Sequence, residues 1–170
     1  MTLLKSRSRL LLRSSEPSTP ERAYLYALRL LAARDYTVAR MGQKLSGKGF
    51  DGADVEASLE RLAAEGWVDD RRFAERFAES ALSSGRYYGP RLRQEMRRRG
   101  LPQDLVSEVL GRVLGDCDET EEVGAIVERR FSDFSFSTAS DREKRRTVGY
   151  LQRRGFSLSA IMRALRATEQ

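Results

Sequence analysis

One pattern runs through this chain three times, each copy centred on a glycine. The copies are Gly49 in MGQKLSGKGFDGADVEASLERL, Gly100 in LRQEMRRRGLPQDLVSEVLGRV and Gly155 in TVGYLQRRGFSLSAIMRALRAT. Four residues before the glycine stands Leu45, Met96 or Leu151, and eight before it Met41, Leu92 or Thr147. One residue after it comes Phe50, Leu101 or Phe156, then Val55, Val106 or Ile161 at the sixth position and Leu59, Leu110 or Leu165 at the tenth. Apolar residues three and four apart lie on one helical face, and glycine after a helix takes the left-handed conformation that ends it. The repeat therefore predicts helix–glycine–helix units, in which function lies on a repeated surface rather than in a pocket.

Capping signals extend each unit to three helices. Thr19-Pro20-Glu21 supplies an N-cap, a proline at the first helical position and a carboxylate at the positive helix end, with Tyr24, Ala27, Leu28 and Leu31 as the buried stripe. Thr37 caps a second helix that ends at Gly49, Asp51 caps a third, and Gly66-Trp67 closes it. Asp69-Asp70 opens the second unit, Gly85 and Gly89 break it and Pro90 restarts it. The third begins near Glu119, and the serine-rich loop 132–140 accounts for its extra length. No segment alternates at period two, so the expected fold is all-α: three tandem three-helix repeats (20–68, 69–116 and 117–170) stacked into an elongated, curved solenoid. Residues 1–19, with Lys5, Arg7, Arg9 and Arg13, read as a flexible basic arm. Aromatic residues at helical spacing, Trp67 included, are expected in the core. Tyr87-Tyr88, between two glycines, is the exception and a candidate exposed contact.

Composition narrows the function. The chain has no histidine, and Cys117 is its single cysteine. The commonest general base, metal ligand and pH switch is thus missing, and neither an intrachain disulfide nor a cysteine zinc site can form. No phosphate-cradling GxxxxGK[ST] occurs, and Asp69-Asp70 suits a cap better than a metal. No catalytic residue, metal or cofactor is expected. No apolar run reaches the roughly 18 residues of a membrane span, so a cytoplasmic protein without a membrane partner is expected, monomeric when free.

Charge gives the positive indication. Net charge is +6, and 31 cationic residues are nearly all arginine, whose planar fork suits carboxylates and phosphates. Arg86, Arg91, Arg93, Arg97, Arg98 and Arg99 crowd the stretch before Gly100 against Glu95 alone. Lys144, Arg145, Arg146, Arg153 and Arg154 precede Gly155, and Lys44 and Lys48 precede Gly49. Complementing the helix dipole explains cations in a last turn but not so many. A helix–turn–helix reader would carry its cations on the helix after the turn. Here that helix holds Asp51, Asp54, Glu56, Glu60 and Glu65 in the first unit, so the basic edge lies on the helix before the glycine.

The segments ALRLLAARDYTVARMGQKLSGKGF, LAAEGWVDDRRFAERFAES, GPRLRQEMRRRGL and VGYLQRRGFSLSAIMRAL resemble, in order and spacing, the RecX family over residues 21–168. Arg40 departs from the pattern, since the family usually carries a carboxylate there that completes a capping box with the Thr37 position. The resemblance implies a stack of three-helix repeats and a regulator of the RecA recombinase. Members bind RecA or its DNA filament and suppress its ATPase, strand-exchange and co-protease activities, restraining recombination and the SOS response. Single- or double-stranded DNA is a further candidate partner. The rival readings are a DNA binder that competes with the recombinase, and a helical-repeat adaptor for another acidic protein.

Overall fold

The computed structural model describes residues 17–115 and 117–167; the basic arm expected at the N-terminus lies almost wholly outside them. The described residues form nine α-helices and no strand. They are α1 (Pro20–Leu31), α2 (Val38–Lys48), α3 (Gly52–Ala64), α4 (Asp70–Ser83), α5 (Gly89–Arg98), α6 (Gln103–Gly115), α7 (Glu119–Arg130), α8 (Asp141–Arg154) and α9 (Leu158–Ala167). Two compact units result, one ending at Val68 and the other starting at Asp69.

The three glycines close their helices by one hydrogen-bond scheme. Gly49, Gly100 and Gly155 have φ of 101°, 83° and 106°, a region that side chains with a Cβ rarely enter. The residue after each glycine donates its N–H to the carbonyl four before the glycine: Phe50 to Leu45, Leu101 to Met96 and Phe156 to Leu151. This bond engages a carbonyl of the last helical turn and brings the two flanking apolar side chains together, which is why the sequence repeats them. Leu45, Met96 and Leu151 are fully buried, and so are Met41 and Leu92 eight before the glycine.

In the first unit α1 and α2 both pack on α3 around Ala23, Tyr24, Met41, Leu45, Val55 and Leu62. Thr19 and Thr37 cap as expected, through Oγ1 accepting from the N–H of Arg22 and Arg40. Asp51 holds the N-cap position of α3 but makes no side-chain cap bond. Its N–H donates instead to Ser18 Oγ at 3.0 Å, and Ser18 in turn donates to the Asp54 carboxylate.

Trp67 is also not a core residue. It is 52% exposed, because the turn at Gly66 buries Val68 and leaves the indole outside. Its Nε1 donates to Glu65, which also accepts from Tyr24 and Arg61, while the Arg61 guanidinium lies 3.8 Å above the Tyr24 ring. Hydrogen bonds from Tyr24 and then Arg61 hold the Glu65 carboxyl below its ordinary range.

In the second unit α4 and α5 pack on α6, and α8 packs with α7 on α9. The two triplets share one core that runs from Ala74 and Leu92 through Val106 and Val123 to Ile161 and Leu165. Tyr88 belongs to it and is not an exposed contact: its ring stacks on Phe156 with centroids 4.6 Å apart, joining α5 to α8. Tyr87 is half-buried against Phe77.

Candidate functional site

The cations preceding each glycine fall on α2, in and before α5, and on α8, and they divide into two kinds. Lys44 and Lys48 on α2 are exposed, as are Arg93, Arg97 and Arg98 on α5, Arg86 in the turn before it, and Arg145, Arg146 and Arg153 on α8. Lys144, half-buried, places Nζ 4.9 Å from the Phe136 ring centre. Lys48 similarly lies 5.7 Å from the Tyr26 ring. Arg93 donates to Ser107 at 2.8 Å, which steadies its guanidinium without neutralising it.

A second group is engaged within the fold. Glu95 is only 3% exposed, at a position where helical spacing brings Arg91, Arg98 and Arg99 alongside. Ion pairs of 2.9, 3.2 and 2.9 Å link its carboxylate to those three guanidinium groups. Arg99 also lies 4.1 Å over the Phe77 ring and donates to the Glu95 carbonyl. Burial alone would push the Glu95 carboxyl up. The Arg99 hydrogen bond and the charges of Arg98 and Arg91 outweigh it and hold the group below its ordinary value. Arg91, Arg98 and Arg99 therefore stabilise α5 as well as contributing positive charge.

Arg154 is likewise inward. Its side chain donates to the Gly85 carbonyl, and its own carbonyl accepts from the Tyr88 N–H at 2.7 Å. Burial lowers its affinity for the proton, as do the neighbouring charges of Arg130, Arg129 and Arg86, although Tyr150 opposes them.

Along α5 an open cavity of about 670 Å³ is lined by Gly89, Pro90, Arg93, Gln94, Arg97, Arg98 and Leu114. Three arginines at its rim over aliphatic Pro90 and Leu114 form a surface for an acidic group flanked by apolar ones. Among the described residues, no group of three or more His, Cys, Asp or Glu side chains could hold a metal ion. Asp69 caps α4, accepting from the Arg72 N–H at 2.9 Å. No helix of the described residues is long and apolar enough to cross a membrane.

Counting charges along the sequence missed the role of Glu95, which reads there as one acid among six bases. The signal was its spacing: four residues from Arg91, three from Arg98 and four from Arg99. Arg129 and Arg130, in the last turn of α7, were also missed; they meet Arg86 and Arg154 only through the tertiary fold.

The chain matches the family description "RecX, first three-helix domain" over residues 23–62, the second three-helix domain over 69–110 and the third over 118–165. It is 44% identical to the regulatory protein RecX of Trichlorobacter lovleyi, over 84% of this chain and 92% of that one. It is 38% identical to the regulatory protein RecX of Thermus thermophilus, over 87% and 93% of the two chains. Among solved structures, RecX from Lactobacillus salivarius superposes with a TM-score of 0.70 at 15% identity, covering 88% of this chain and 96% of that one. A second crystal structure of regulatory protein RecX gives a TM-score of 0.68 at 18% identity, over 85% and 72%. Both share the fold.

Proposed function

The chain belongs to the RecX family, and from that premise we propose that it regulates the RecA recombinase by docking its basic faces on RecA or its DNA filament. The observation that carries the reading is the placement of cations on the helix before each glycine turn, away from the acidic helix after it in the first unit. Lys44, Lys48, Arg93, Arg97, Arg145, Arg146 and Arg153 are the outward members of this set and supply the contacts. Arg86 and Arg98 are exposed as well, and half-buried Arg91, Arg99, Lys144 and Arg154 add field from behind them. A filament groove offers acidic protein surface and a bound strand, and separate basic faces suit it because separate weak contacts add by avidity. Occupying the groove would exclude a second DNA duplex and hinder the subunit movements linked to ATP hydrolysis. Lower ATPase, strand-exchange and co-protease activities follow, with restraint of recombination and the SOS response. The mechanism needs no catalytic group in this chain.

Titrating the protein into RecA filaments on single-stranded DNA, while following ATP hydrolysis, tests the proposal. Inhibition should set in at amounts far below those that coat the DNA. Inhibition only at DNA saturation would favour simple competition for DNA, and an unchanged rate would remove RecA regulation.

A further inference from the structure

Four arginines gather where α4 ends, contributed by segments far apart in sequence: Arg86 after α4, Arg129 and Arg130 at the end of α7, and Arg154 at the end of α8, which feels the charge of the other three. Arg129 donates to the Ser84 carbonyl at 3.1 Å and Arg154 to the next carbonyl, Gly85. Arg130 and Arg154 both lie over the Tyr150 ring, with Cζ 4.9 and 4.2 Å from its centre. Gly85 permits the approach, since a Cβ there would stand 2.7 Å from Ile126 Cγ1 of α7. None of the four forms an ion pair with a carboxylate among the described residues.

Capping does not account for this much charge. Three helix C-termini converge here, each equivalent to about −0.5 charge, so about +2.5 of the four positive charges stays uncompensated. Like charges held together without counter-ions raise the energy of the isolated molecule, and an arriving anion relieves it. Arg86, Arg129 and Arg130 are exposed, so the cluster is an open face rather than an enclosed anion hole. Guanidinium forks presented on an open face suit successive phosphates of a chain.

The geometry points to a phosphate-backbone site for nucleic acid formed by Arg86, Arg129, Arg130 and Arg154, in which Arg129 and Arg154 are fixed by the Ser84 and Gly85 carbonyls just after α4 and Arg86 and Arg130 supply free donors. The site deepens the docking proposal by assigning one basic region to DNA. Its test contains no recombinase, so either reading can fail alone.

Anisotropy of labelled oligo-dT is measured against salt for the full chain and for the pair Arg86→Gln with Arg130→Gln. Among the described residues, these two arginines donate to no backbone carbonyl. The pair should weaken binding about tenfold and reduce the salt slope by about 1.4, two phosphate contacts at roughly 0.7 each. The control pair Arg142→Gln with Arg166→Gln removes the same net charge from exposed positions elsewhere and should change affinity less than about twofold. Circular dichroism melts confirm that each variant is folded; if the first pair is not, the single variant Arg86→Gln should still weaken binding about threefold. Equal loss in both pairs, unchanged binding, or no binding of oligo-dT by the unaltered chain would overturn the site. So would displacement of oligo-dT by poly-glutamate, ATP or inorganic phosphate as effective as by unlabelled oligo-dT.

Discussion

Gly49 and Gly155 occupy the same place in the repeat and share a backbone conformation, yet their surroundings differ. A Cβ at Gly49 would meet nothing within 4 Å, whereas at Gly155 it would stand 2.2 Å from the Tyr88 carbonyl oxygen and 2.7 Å from Arg91 Cβ. In the first unit the glycine only ends a helix. In the second it also lets α8 close on α5, where the Tyr88 N–H bonds to the Arg154 carbonyl and Tyr88 stacks on Phe156. One repeated sequence feature thus has two physical loads: a backbone requirement that is local, and a steric one that exists only where two triplets join.

The largest expected effect separates these loads. Gly155→Ala combines a left-handed backbone penalty of about 1 kcal/mol with a clash against backbone, for about 3 kcal/mol or more of lost stability. Gly49→Ala carries only the former, about 1 kcal/mol. Urea unfolding of both variants checks this; equal losses would mean that the α5–α8 junction is not closely packed.

Next comes the contrast between the two carboxylate hubs, buried Glu95 in the second unit and exposed Glu65 in the first. Glu95→Ala leaves three arginines without their partner. Because those arginines are partly exposed, about 2 kcal/mol is expected rather than the full cost of breaking a buried pair. Glu65→Gln should cost less. Both carboxyls are held below their ordinary values in the folded state. Their stabilisation is therefore complete above the unfolded carboxylate value of about 4.3 and is lost as pH falls through the lower folded values. Acid titration of stability should show a flatter acid loss in both Glu95→Gln and Glu65→Gln than in the unaltered chain.

The smallest effect lies at two helix starts. Ser140 and Glu143 form a complete capping box at the start of α8. At α2, Thr37 accepts from the Arg40 N–H, but Arg40 turns to Gln43 instead of reaching back. Arg40→Glu should complete the box and raise the stability of the first unit by about 0.5 kcal/mol, read as a higher melting temperature.

Local chemistry was legible in the sequence. Helix ends depend on a glycine and two apolar neighbours, so the three turns and most of the caps could be read from spacing alone. The residues that escaped are those whose surroundings come from elsewhere in the chain. Trp67 has helical spacing to the core, but the Gly66 turn sends its ring outward. Glu95 vanished in a charge count, although its spacing from Arg91, Arg98 and Arg99 was there to read. Arg129 and Arg130 join Arg86 and Arg154 only because α7 and α8 both end beside α4. The same distinction decides which arginines to alter: reversing Arg98 and Arg99 would also strip Glu95 of two of its three partners and confound binding with folding.

The exposed pair Arg93 and Arg97 avoids that ambiguity and tests the docking face directly. The measurement is RecA-filament ATP hydrolysis on single-stranded DNA against increasing amounts of the unaltered chain and of the variant Arg93→Glu with Arg97→Glu. Two reversed contacts at about 1 kcal/mol each predict a half-inhibitory amount at least tenfold higher for the variant, with its unfolding curve unchanged. Superimposable inhibition curves would contradict the assignment of this face to the recombinase filament.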